Sequence, residues 1–123
     1  MKIEKVQEDP RGSVYFGEFR NKKFLIFSCK KGSLRGGHYH TTENIHFILC
    51  GSLELKLINP KNPEKEEKKI VKSGDVIRVE PGTAHLFIAN EDSILLEIKE
   101  KEFDTVEYRP YRKLVEEFIE KNK

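Results

Sequence analysis

From residue 12 to residue 100 the sequence is a succession of short apolar runs, each stopped by a turn signal. The stops fall at Asn21-Lys22-Lys23, in the basic, glycine-rich residues 30–37, at Gly51-Ser52 and in the proline-broken, charged residues 59–69. Three more follow at Ser73-Gly74-Asp75, Glu80-Pro81-Gly82 and Asn90-Glu91-Asp92. Runs this short have strand length rather than helix length, and Gly, Pro, Asn and Asp supply the backbone geometries that turns require. Many short strands in one chain fold as a small barrel or sandwich. With 123 residues there is material for one core and not two. The expected organisation is a single domain with a barrel over about residues 12–100. A short helix is expected over about residues 110–121, where Tyr111, Leu114, Val115 and Phe118 recur at helical spacing after Pro110. That helix is expected to cover the outside of the barrel.

The runs IHFILC and LELKLI flank Gly51-Ser52 and predict a two-residue hairpin. Its register pairs Cys50 with Leu53, Ile48 with Leu55 and His46 with Leu57. Paired residues share a face, so His46 points inward with the leucines while Glu54 and Lys56 point away. Phe47 and Leu49 share the outward side and make half of it apolar. A covering segment or a second subunit is expected there, and the expectation is a homodimer.

Composition excludes more than it selects. Lys and Arg number 23 against 21 Asp and Glu, so the charge balance does not demand nucleic acid. Lys and Glu dominate and tryptophan is absent, a balance common in proteins from hot environments. No apolar run reaches bilayer length and MKIEKVQEDP lacks a signal-peptide core, so a cytoplasmic protein without membrane contact is expected. Cys29 and Cys50 each lie in an apolar run and are expected as buried free thiols.

All four histidines lie in two stretches, GSLRGGHYHTTENIHFILCG (32–51) and GDVIRVEPGTAHLFIAN (74–90). Clustering of so rare a side chain points to metal ligation. On a strand His38 and His40 face the same way, giving two adjacent imidazoles to which another strand can add a third. His85, after Pro81-Gly82, is the distant candidate. Nitrogen donors suit zinc, iron, nickel and copper.

These two stretches resemble the paired motifs of the cupin superfamily. Gly32, His38, His40 and Gly51 fall in register with G-x5-H-x-H-x3-E-x6-G, and Asn44 stands where that pattern has glutamate. Gly74, Gly82 and His85 match G-x5-P-x-G-x2-H-x3-N, with Glu80 and Ala89 departing from it. The resemblance implies a double-stranded β-helix, the all-β jelly-roll barrel. It also implies a divalent transition metal on His38, His40 and His85. His46, Glu43 and Asn44 compete for a fourth place, and His46 has the right parity.

A narrower likeness concerns chemistry. Arg35-Gly36-Gly37-His38-Tyr39-His40 resembles a segment of the sugar-nucleotide 3,4-ketoisomerases, and Asp9-Pro10-Arg11-Gly12 resembles the D-x-R-G opening seen in them. In that group histidines move protons beside a sugar ketone and need no metal, which implies a reading that rivals the metal one: an isomerase or epimerase with catalysis by His38 and His40 and a nucleotide sugar as substrate. Arg11, Arg35 and Arg78 are then the candidates for its diphosphate. A related group, the cupin domain of capsular polysaccharide enzymes, binds metal. The competing expectations are metal-dependent oxygenation and ligand binding without catalysis.

Overall fold

Strand alternation converts directly into two facing layers. A computed structural model describes residues 2–99 and 104–123. Its strands are β1 (Lys2–Asp9), β2 (Gly12–Phe19), β3 (Lys22–Cys29), β4 (Leu34–His40), β5 (Asn44–Cys50) and β6 (Ser52–Ile58). Then come β7 (Glu67–Lys72), β8 (Val76–Val79), β9 (Ala84–Ala89), β10 (Ser93–Lys99), β11 (Thr105–Glu107) and the helix α1 (Arg109–Lys121). One antiparallel sheet runs β1-β2-β3-β10-β5-β8 and the other β11-β4-β9-β6-β7. Between them lies a core that includes Ile48, Leu53, Leu55, Phe87 and Leu95. The all-β jelly-roll expectation holds. The expected end of the barrel at residue 100 lies outside the described residues.

β9 shows why its sequence, AHLFIA, is apolar almost throughout. His85, Phe87 and Ala89 face the other sheet, while Ala84 and Leu86 pack under Tyr111 and Val115 of the helix. Both faces are buried, so no polar position remains. Tyr111 also donates its hydroxyl to Glu66 Oε2 at 2.6 Å, fixing the helix to the loop before β7. Leu114, expected on the packed face, is 40% exposed. Ile119 packs there instead, because the buried stripe follows Tyr111 and Val115 four residues apart.

Three further expectations are corrected. First, β5 and β6 do not form a hairpin: β5 pairs with β10 and β8, and β6 with β9 and β7. Gly51 is instead the corner where the chain passes between sheets. Its φ is +94°, and a Cβ there would lie 2.1 Å from Ser93 Oγ. His46, Ile48, Leu53 and Leu55 still face inward, because alternation belongs to each strand whatever its partner. Second, Cys29 is buried but Cys50, at that corner, is exposed. Third, the strand β1 precedes the expected barrel, and β7 takes in Glu67, Lys68 and Lys69 from the expected loop.

Candidate functional site

The imidazoles meet between the sheets because a bulge reverses the parity of β4. Arg35 pairs with Phe87 and Gly36 with Leu86, but His38 pairs with His85, so Gly37 is the extra residue. Gly36 and Gly37 both take positive φ, +113° and +89°. At Gly36 a Cβ would come within 2.6 Å of the His85 carbonyl oxygen, and at Gly37 within 2.8 Å of Arg112 Cα. Only glycine fits this close approach. The bulge brings Arg35, His38 and His40 to the same inner face, which strict alternation forbids for residues three apart.

His85 stands opposite His38 on β9, with ring centroids 5.2 Å apart, and His40 lies 5.2 Å from His38 and 5.8 Å from His85. One nitrogen of each of the three lies within 4.8 Å of the others. His46 reaches in from the facing sheet, its ring centroid 5.1 Å from that of His85. A second close set joins His46, His85 and Glu97. Burial foremost, then His46 and His38, hold the His85 pKa well below the ordinary imidazole range. His85 is therefore neutral at pH 7, the form that ligates a metal. Its buried Nδ1 has no hydrogen-bond partner among the described residues. A buried nitrogen with a lone pair to give, beside two more imidazoles, fits a divalent transition metal.

Two carboxylates set the imidazoles. Asp104 Oδ1 lies 3.1 Å from His40 Nδ1, while its Oδ2 accepts from the Thr42 hydroxyl at 2.6 Å and the Thr42 backbone N–H at 3.1 Å. Burial pushes the Asp104 carboxyl up, but the Thr42 hydrogen bonds and His40 outweigh it and bring it down to about 2. The ionised carboxylate accepts a hydrogen bond from the Nδ1–H of His40, which leaves the Nε2 lone pair to face a metal. Glu97 Oε2 plays the same part for His46: it lies 2.8 Å from His46 Nε2 and accepts from Asn44 Nδ2 at 3.1 Å. Asn44 thus replaces a ligand in sequence and supports a carboxylate in space.

The histidines open onto a cavity of about 250 Å³ lined by His38, His46, His85, Glu97, Arg11 and Arg35, among others. His40 stands behind this wall. Asp9 grips Arg11 through two parallel bonds, 3.1 Å from Nε and 2.7 Å from Nη2. Arg78 is not with them: on the outer face of β8, its side chain is 70% exposed and lies 3.9 Å from Glu43. That pairing also takes Glu43 away from the fourth metal position.

The Cupin family profile matches residues 23–103. The chain belongs to the cupin family. No curated protein matches its sequence. Among solved structures it is similar to the capsular polysaccharide assembling protein CapF from Staphylococcus aureus, at 19% identity and a TM-score of 0.71. That match covers 85% of this chain and 32% of CapF. Oxalate decarboxylase from Bacillus subtilis matches at 19% identity and a TM-score of 0.69, over 85% of this chain and 29% of that one. Hazelnut (Corylus avellana) vicilin matches at 20% identity and a TM-score of 0.67, over 81% and 31%. This cupin spans about a third of the length of each, and the likeness is one of fold.

Sequence reasoning missed Glu97 and Asp104. Glu97 had a signal, since in SILLE it shares the parity of Ser93 and Leu95, both buried. Asp104 had none. It meets His40 only because β11 pairs with β4. Among the described residues no helix of this cupin is long and apolar enough to cross a membrane.

Proposed function

We propose that this cupin is a metal-dependent enzyme that moves a proton beside a carbonyl group, a ketoisomerase or epimerase of small molecules. The gathering of His38, His40 and His85, with their nitrogens within 4.8 Å of one another, carries the reading. These three residues would hold one divalent metal, with Glu97 or His46 next to it. When bound, the metal supplies a positive charge that polarises a carbonyl oxygen. The chain's own residues do the rest. Asp104 locks the tautomer of His40, as Glu97 does that of His46. His46 therefore keeps Nδ1 unprotonated, buried and without a hydrogen-bond partner among the described residues. A lone pair so held beside the ligand set is placed to take a proton from the carbon next to the carbonyl. The protonated His46 is then placed to return that proton to the neighbouring carbon, while His38, half-buried on the cavity wall, would stay with the metal.

The sugar-nucleotide form of the reading rests on Asp9-Pro10-Arg11-Gly12 and the segment from Arg35 to His40. It puts the keto sugar against the imidazoles and the diphosphate towards Arg11 and Arg35. The capsular polysaccharide role of CapF supports it. The test has two parts. Elemental analysis of protein purified without an affinity tag is expected to give one transition metal per chain. Incubation in heavy water with a nucleotide-linked 4-keto-6-deoxy sugar is expected to exchange deuterium at C3 or C5, with the exchange lost in His38→Asn and His46→Asn. Oxygen uptake without exchange would move this cupin to the oxygenases.

A further inference from the structure

The bulge that aims His38 is made of the two residues least able to hold themselves. Gly36 and Gly37 lie side by side at φ of +113° and +89°, and a glycine backbone has more freedom than any other. A shift there turns His38, the next residue. Two of the bonds that hold the bulge come from the C-terminal segment, beyond residues 23–103 of the Cupin profile. The Tyr108 N–H donates to the Gly37 carbonyl at 2.9 Å, and Arg112 Nη1 donates to the Gly36 carbonyl at 3.0 Å. Tyr108 is the N-cap of α1, and its carbonyl accepts from the Arg112 N–H at 2.9 Å. Both donors therefore belong to the first turn of one helix. That helix is seated on Ala84 and Leu86, the two neighbours of His85, through Tyr111 and Val115. Arg112 takes no part in that apolar seat. Its nearest acid, Glu116, lies 3.9 Å from Nε and is already bonded twice by Arg109. The Arg112 side chain is only 28% exposed and lines the cavity of the imidazoles.

We infer that Arg112 is a positioning residue of the metal centre: it clamps the β4 bulge through the Gly36 carbonyl and so sets the aim of His38. A charged donor holds a carbonyl more firmly than a neutral one does. Arg112 acts through His38 rather than on the ion, as a supporting group that keeps a ligand in its working orientation. The helix is then a working part of the site as well as a cover. It braces His38 through the bulge and His85 through Ala84 and Leu86. The coupling runs both ways. An ion that fixes His38 also steadies the bulge and, through Arg112, tightens the first turn of α1.

The inference rests on the metal reading for its zinc and cobalt readouts, while a third readout needs no metal. Competition with a coloured chelator measures zinc affinity, visible absorption of bound cobalt reports the ligand arrangement, and nitrogen NMR of the imidazoles reports His38 in metal-free protein. Arg112→Met keeps the apolar stem and loses the donors. It is expected to weaken zinc binding about tenfold, to alter the cobalt bands and to shift the His38 ring signals. Arg112→Lys can still donate to Gly36 and is expected to recover most of each. Arg109→Met, on the exposed side of the same turn, is expected to leave all three unchanged. Added zinc is expected to slow hydrogen exchange along α1 in the native protein and to slow it less in Arg112→Met. A folded Arg112→Met variant with native zinc affinity, cobalt bands and His38 signals overturns the inference. Equal losses in Arg109→Met also overturn it, because a loosened helix would then be the cause. A native protein that takes up neither zinc nor cobalt removes the metal reading, and the His38 signals then decide alone. A shift in Arg112→Met that Arg112→Lys recovers keeps the positioning role, and unchanged signals remove it.

Discussion

At the scale of single residues, charge placement governs this cupin more than apolar packing does. Asp104 acts on the metal position through His40, so its loss leaves the imidazole in place but free to turn. Asp104→Ala is expected to lower affinity for zinc about 10- to 100-fold, read by competition with a coloured chelator. An affinity equal to that of the native protein removes Asp104 from the centre. Asp9 gives a pH signature. Burial pushes its carboxyl up, but hydrogen bonds from the Arg11 side chain and backbone outweigh that and hold it below the ordinary range. A lowered folded pKa stabilises the protein above the unfolded carboxyl range, and the contribution is lost as pH falls through the folded value. Asp9→Asn is therefore expected to melt lower than the native protein near neutral pH, with the gap closing as pH falls below the ordinary carboxyl range. A gap that stays constant with pH would show that Asp9 matters only as a neutral hydrogen-bond partner.

At the scale of elements, the β4 bulge is what turns a histidine strand into a site. Strict alternation from His38 would put Arg35 on the far side of the sheet. Gly36 and Gly37 absorb the extra residue with positive φ, and Gly37 lets the backbone of α1 approach. Gly37→Ala combines a left-handed backbone with a Cβ 2.8 Å from Arg112 Cα. It is expected to cost about 1–3 kcal/mol in denaturant titrations and to weaken zinc binding by displacing His38. Unchanged stability together with unchanged zinc affinity would show that the bulge tolerates a side chain. The corner at Gly51 belongs to the same class of device, since it moves the chain between sheets without changing which residues face inward.

At the scale of the molecule, the outer face of the first sheet stays apolar. Phe47 pairs across strands with Val76, which is 57% exposed, and Leu49 and Ile94 are 49% and 37% exposed. The helix covers the other sheet, so it does not protect this one. We propose that a second copy of the chain does, as the sequence pattern at Phe47 and Leu49 predicts. Sedimentation is expected to give about twice the 14.4 kDa chain mass, reverting to a single chain in Leu49→Lys with Val76→Lys. A native protein that sediments as one chain at all concentrations refutes the pairing.

The sequence by itself determined what depends on neighbouring residues. Turn chemistry placed the breaks, alternation put His46, Leu53 and Leu55 inside, and the spacing of His38 and His40 gave two imidazoles on one face. The paired histidine motifs also pointed to the cupin fold. Tertiary structure decided what depends on residues far apart in the chain. It rejected the β5–β6 hairpin, because β10 and β8 on one side and β9 and β7 on the other outcompete the local partner. It brought Glu97 to His46 across 51 residues and Asp104 to His40 across 64. It left Arg78 outside and drew Arg35 in. Alternation is stereochemistry within one strand, whereas pairing and bulges are settled by competition among all the strands for buried area and hydrogen bonds.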